Sequence, residues 1–209
     1  MTYDPPGRIA AGSAPDAPLP VAAAILAAGR GSRFGGETPK CLQEWNGRRL
    51  VEWALQAPLD AALVPVLLVT GHQRHLVDPL APAGVDVVHS RRWHEGIAHS
   101  LRAALDALDG HVSVHAVCVG LADQPRVGAE AYHRLATAFA DGATLAVATY
   151  GGQRANPVLL ARSLWPEAQE LSGDVGARAL MQRHPVVEVA CDDTGSPVDV
   201  DTPSDLQHL

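Results

Sequence analysis

Within twelve residues, Gly29 to Lys40, the chain sets four glycines, Gly29, Gly31, Gly35 and Gly36, among three cations, Arg30, Arg33 and Lys40. An apolar run, Val21 to Ala28, leads straight into them. Glycine lets backbone N–H groups come close to an anion because no Cβ intervenes. Arginine then meets phosphate oxygens through a planar fork and lysine as a compact point charge. A strand emptying into such a loop suits a nucleoside triphosphate. The order is not that of the P-loop, since Gly31 to Gly36 is followed by Glu37 instead of Lys-Ser/Thr. Nor is it the dinucleotide fingerprint, because Phe34 stands where the third glycine belongs. A plain surface loop would explain the glycines but not the cations beside them.

Two carboxylate clusters could serve that loop. Gly120-Leu121-Ala122-Asp123-Gln124-Pro125 follows the apolar run Val112–Val119. Ligands of open α/β sheets gather at the carboxyl ends of strands. Asp123 there, facing a triphosphate, suits Mg²⁺, which takes oxygen ligands and keeps several waters. The alternative is an Asx-turn in which Asp123 bonds its own backbone. The second cluster is Asp199-Val200-Asp201-Thr202-Pro203. Asp199 is the candidate second Mg²⁺ ligand and Asp201 or Thr202 the cap of a last helix, with the choice between Asp199 and Asp201 as ligand left open.

The elements that must position these groups alternate. Val21–Ala27, Pro65–Thr70, Val85–His89, Val112–Val119 and Thr144–Thr149 read as buried strands. Helices are expected at Arg49–Gln56, Gln73–Leu80, Glu95–Leu108 and Ala129–Ala140, the third with Ile97, Leu101, Ala104, Leu105 and Leu108 on one face. Later come a strand Pro157–Leu160, helices near Leu164–Leu171 and Asp174–His184, a strand Val186–Ala190, and a closing strand and helix around Asp199–His208. This order predicts a Rossmann-like three-layer α/β/α sandwich on a mostly parallel sheet. Residues 1–20, with five prolines, are expected to be a disordered tail, and residues 21–209 a single domain.

The 209 residues are 47% hydrophobic, enough for one well-filled core. A net charge of −7 argues against nucleic acid as a partner and makes the basic loop a local device for a small polyanion. Three scattered cysteines, Cys41, Cys118 and Cys191, fit a reducing compartment better than a metal cluster. With no apolar run long enough to span a bilayer, a cytoplasmic protein is expected.

In their order along the chain these segments resemble the MobA-like nucleotidyltransferase family, most closely its molybdenum cofactor cytidylyltransferase branch. Leu26 to Gly35 repeats that branch's Leu-Ala-Ala-Gly-x-x-x-Arg-(Met/Phe)-Gly, and Ala28 stands where the guanylyltransferase branch has glycine. Thr38-Pro39-Lys40, the run Trp93 to Leu105, Leu121 to Pro125, Asn156-Pro157, Leu171 to Arg178 and Asp199 to Pro203 continue the likeness over about residues 21 to 209. Glu37 and the length of Gly35 to Pro39 depart from it.

The resemblance implies transfer of CMP from CTP to the terminal phosphate of molybdopterin, releasing pyrophosphate, with a molybdenum enzyme as the cofactor's recipient. It implies that Arg33 and Lys40 grip the triphosphate, helped by the turn Leu26, Ala27, Ala28, Gly29, Arg30 and Gly31. Gly96 and Ser100 would read the base, Asp123 and Asp199 would hold Mg²⁺, and Asn156, Asp174 and Arg178 would line the acceptor side. Asp174 and Arg178, four apart, also read as an ordinary helix-surface pair, and Trp93 as a packing residue. Other outcomes within reach are guanylyl transfer, transfer to a sugar or metabolite phosphate, and a nucleotide-binding chaperone without turnover.

Overall fold

The computed structural model describes residues 20–31, 34 and 38–209. The expected tail, apart from Pro20, lies outside these residues, as do Arg33 and Glu37.

Among the described residues, seven strands form the central sheet in the order β5 (Val85–His89), β4 (Val66–Thr70), β1 (Val21–Ala27), β6 (Ala116–Leu121), β8 (Gln153–Ala161), β7 (Leu145–Tyr150) and β9 (Val187–Ala190), while β2 (Glu44–Trp45) and β3 (Arg48–Arg49) pair with each other apart from it. β1 (Val21–Ala27) lies in its interior, parallel to β4 (Val66–Thr70) and β6 (Ala116–Leu121). β5 (Val85–His89) extends the parallel half beyond β4. Every residue of β1 is buried, and its four alanines leave room for helices on both faces. Alternation sends Val21, Ala23 and Ile25 toward α1 (Leu50–Asp60) and α4 (Ala129–Ala140). Ala22, Ala24 and Leu26 face α3 (Ile97–Leu108) and α5 (Trp165–Gln169). The three-layer, mostly parallel sandwich is the one expected.

Several boundaries differ, each for a local reason. β6 starts at Ala116, not Val112, because residues 108–114 turn back on themselves and Arg162 holds the carbonyls of Asp109, His111 and Val114. Val112 is left exposed. α1 runs past Gln56 to Asp60, with Pro58 buried inside its last turn despite the missing N–H. The segment expected as a helix over Gln73–Leu80 is a short α2 (Arg74–Val77) followed by a 3₁₀ turn through Pro79.

The last third departs most. β8 spans Gln153–Ala161 and inserts antiparallel between β6 and β7 (Leu145–Tyr150), as a hairpin with β7 through Gly151-Gly152. Both glycines have positive φ, as a tight hairpin requires. β9 (Val187–Ala190) then pairs parallel to β7. The expected helix Asp174–His184 is a 3₁₀ segment, Ala177–Gln182, that buries Ala177 and Leu180 three residues apart, the 3₁₀ repeat. Asp199 lies in no strand. It belongs to an irregular strap, residues 191–202, pinned by Gly128 N donating to Thr194 O, Ser196 N to Arg126 O and Val200 N to Asp123 O. The strap ends in α6 (Pro203–Gln207), capped by Thr202 with Asp205 completing the capping box.

Candidate active site

Both informative loops leave the sheet at the same edge. β1 ends at Ala27 and β6 at Leu121, side by side, and Ala122 N donates to Leu26 O, tying the turns together. The cleft there encloses about 680 Å³ between the Ala28–Gly31 turn, Lys40, Asp123, Asp201, Gly96 and Ser100.

Lys40 is its electrostatic centre. It follows Pro39 into a short 3₁₀ turn that buries Cys41 and Leu42 and so anchors its backbone. Its Nζ lies 2.5 Å from Asp123 Oδ2 and 2.8 Å from Asp201 Oδ1. Gly31, with φ of +64°, makes the approach possible, since a Cβ there would stand 2.7 Å from Lys40 Cβ. Burial works to lower the Lys40 pKa, but Asp123 and Asp201 more than offset it, so the ammonium is held above its ordinary value. Burial pushes the neighbouring Cys41 thiol up to about 12, which keeps it neutral.

Asp123 Oδ1 is buried with no hydrogen-bond partner, an acceptor left open inside a polar cleft. Asp199 sits apart from Lys40's contacts. Its Oδ1 accepts from Gln124 Nε2 at 2.8 Å, and its carboxyl is raised by burial and then by the nearby Asp123 charge. Among the described residues no group of three His, Cys, Asp or Glu side chains is placed to hold a metal ion.

A second cavity of about 600 Å³ adjoins the first, sharing Leu26, Ile97, Leu121 and Asp174. Its floor is aliphatic, with Leu101, Val119 and Val158, and its polar groups include Asn156, Arg178 and Asp199. Asp174 and Arg178 form no salt bridge and lie outside any α-helix, so the helix-surface pair does not exist. Gly96, at the start of α3, packs on the loop that carries Asp174. A Cβ there would meet the Gly173 carbonyl at 2.2 Å, and Ala98 N donates to Gly173 O.

The structure thus gathers Leu26 to Gly31, Lys40, Gly96, Ser100 and Asp123 around one cleft, and Asn156, Arg178 and Asp199 around its neighbour. Three features were missed from sequence. Asp201, read as a cap or the alternative metal ligand, also engages Lys40, a contact the sequence did not show. Gln124 is a buried link between loops. Trp93, read as packing, does pack on Gly71, but it also lines the cleft, with the His72 ring tilted against it at 5.0 Å and the Arg30 guanidinium 6.0 Å from its ring. The Trp93 signal was present in sequence, one turn before Gly96. Those of Gln124 and Asp201 depend on contacts made 32 to 161 residues away.

Comparison with known proteins settles the family. The sequence profile of the MobA-like NTP transferase domain matches residues 23–189. The chain belongs to that family. It is an enzyme of the nucleotidyltransferase class, on that family's α/β fold. Rv0371c from Mycobacterium tuberculosis H37Rv superposes with a TM-score of 0.77 at 29% identity, covering 90% of this chain and 95% of that one. A second structure of that protein is a complex with manganese, with a TM-score of 0.76 at 28% identity, covering 90% and 97% of the two chains. Nicotine blue oxidoreductase of Paenarthrobacter nicotinovorans is 32% identical over 208 residues, 93% of this chain and 98% of its own. The bifunctional protein GlmU of an Anaeromyxobacter strain is 35% identical over 136 residues, 63% of this chain but only 27% of GlmU. No helix among the described residues is long and apolar enough to cross a membrane.

Proposed function

We propose that this protein transfers a nucleotidyl group, CMP from CTP, to the terminal phosphate of molybdopterin and releases pyrophosphate. The observation that carries this reading is Lys40 between Asp123 and Asp201, in a glycine-lined cleft that adjoins a second, largely aliphatic cavity. The first cavity suits the triphosphate and the second the organic body of an acceptor. The aliphatic wall of the second, Leu101, Val119 and Val158, suits the flat face of a heterocycle, with Asn156, Arg178 and Asp199 available to its polar edge. The preference for CTP rests on Ala28 and its place in the family motif.

The residues fit a divalent cation. Asp123 offers an unpartnered buried oxygen, and Asp199 or Asp201 supplies a second carboxylate. With two carboxylates and no complete protein cage, the ion would take its remaining ligands from phosphate oxygens and water, as Mg²⁺ does. When bound it would neutralise phosphate charge and lessen repulsion of the incoming acceptor. Lys40, leaving its carboxylates for the triphosphate, would stabilise the charge growing on pyrophosphate, together with Arg33. The backbone N–H groups of Ala28 to Gly31 would hold the phosphates, and the turn at Gly96 would face the base. An acceptor phosphate is already ionised at neutral pH, so positioning and charge carry the step and no general base is required. The finished cofactor would pass to a molybdenum enzyme.

Pyrophosphate release measured with each of the four NTPs, Mg²⁺ or Mn²⁺, and molybdopterin tests this. CTP-selective release is expected, GTP selectivity would reassign the branch, and tight nucleotide binding without release would leave a binding protein. A second reading comes from the relative named an oxidoreductase, which matches along nearly its whole length. Its discriminating assay is redox turnover of nicotine blue, and activity there without pyrophosphate release would favour it.

A further inference from the structure

Gln124 follows Asp123 at the end of β6 and is only 4% exposed. A buried primary amide needs its partners, and this one has three. Its Nε2 donates to Pro197 O at 2.9 Å and to Asp199 Oδ1 at 2.8 Å. Its Oε1 accepts from Asn156 Nδ2 at 3.2 Å. Both Nε2 partners are pure acceptors, so turning the amide over would set oxygen against oxygen. Chemistry fixes its orientation.

These partners come from separate parts of the fold. Asn156 is on β8 and lines the second cavity. Pro197 and Asp199 belong to the irregular strap, which has no ladder of its own to set its position. Backbone bonds pin that strap at Thr194, Ser196 and Val200, and Gln124 ties it between the last two. Asp199 and Asp201 flank Val200, so whatever holds residues 197–200 sets both carboxylates against Asp123.

We propose that Gln124 is a positioning residue for the cation site, holding Asp199 and its strap opposite Asp123 and tying them through Asn156 to the acceptor cavity. This rests on the metal-dependent transfer proposed above. Gln124 touches no reacting atom and acts through Asp199. Partners of this kind, one bond removed from a metal, typically contribute about 10–100-fold in metal affinity.

Gln124→Met keeps the length and burial of the side chain and removes both donors. The readout is Mn²⁺ binding, followed by the electron paramagnetic resonance of free Mn²⁺ in the presence of α,β-methylene CTP, which cannot be cleaved. Affinity is expected to fall about 10–100-fold, while binding of the analogue in EDTA stays unchanged. In an Asp199→Asn background the same substitution should change Mn²⁺ affinity by less than about threefold, because the group it acts through has been altered. A folded Gln124→Met protein with wild-type Mn²⁺ affinity overturns the proposal, and so does an equal loss in both backgrounds. If the methionine variant does not fold, Gln124→Asn, one methylene short, is read by the same criteria. Pyrophosphate release by the wild type is scored separately. Gln124-dependent Mn²⁺ binding in a protein that releases none would uphold the positioning role and sink only the reaction.

Discussion

Replacing Lys40 by methionine should move two quantities in opposite directions. The substitution keeps the aliphatic stem and removes the charge that touches Asp123 at 2.5 Å and Asp201 at 2.8 Å. The three side chains are 14%, 20% and 31% exposed, between the surface and interior regimes. Opposite charges at contact interact by about 4 kcal/mol at an effective dielectric near 20. Desolvation offsets much of that, so the net loss of fold stability should be about 1–3 kcal/mol. Turnover should fall by about 10²–10³, the effect of losing one preorganised charge donor. Without Lys40 the carboxylates lack their compensating cation, so Mn²⁺ should bind the nucleotide-free protein about tenfold more tightly, equivalent to about 1.4 kcal/mol. Coupled pyrophosphate release and Mn²⁺ titration measure the two effects. Wild-type turnover would remove Lys40 from the chemistry. Weaker Mn²⁺ binding would mean that Lys40 organises the carboxylates instead of competing for them.

Asp123→Asn should raise the Mg²⁺ concentration needed for half-maximal rate by about tenfold or more, since it halves the charge of a two-carboxylate site; an unchanged titration would make Asp123 structural. Gly96→Ala should cost about 3–5 kcal/mol, combining a φ of +109° with a Cβ 2.2 Å from the Gly173 carbonyl. Thermal melts should then drop by roughly 10 °C, and a wild-type melting temperature would refute the close packing of the two loops. Asp199, raised by burial and by Asp123, binds its proton more tightly folded than unfolded. In EDTA, stability should therefore fall as pH rises from the ordinary aspartate value through the folded one. Urea melts of wild type against Asp199→Asn should show this slope vanish in the variant, and parallel curves would contradict it.

Fold class was legible because buried parallel strands are continuously apolar. Val21–Ala27 marked β1 to the residue, and Ala129–Ala140 marked α4. Where neighbours override local pattern, legibility failed. Arg162 cuts β6 short from 51 residues away, and β8 enters the sheet antiparallel because a two-glycine turn returns it along β7. The 3₁₀ segment at Ala177–Gln182 follows from a tight loop that must also pack on Gly96.

For the site, residue types alone point to the chemistry proposed: glycines and cations for phosphate, carboxylates for a hard cation. Those needs are local, since a Cβ-free turn or an anionic oxygen is a property of the residue itself. Which carboxylate meets which cation was decided only in three dimensions. Asp201 reaches Lys40 across 161 residues, and Asp199 is held by Gln124 across 75, because a strap without secondary structure of its own takes its position from the sheet edge it crosses. A sequence specifies such partners only through the packing that brings them together.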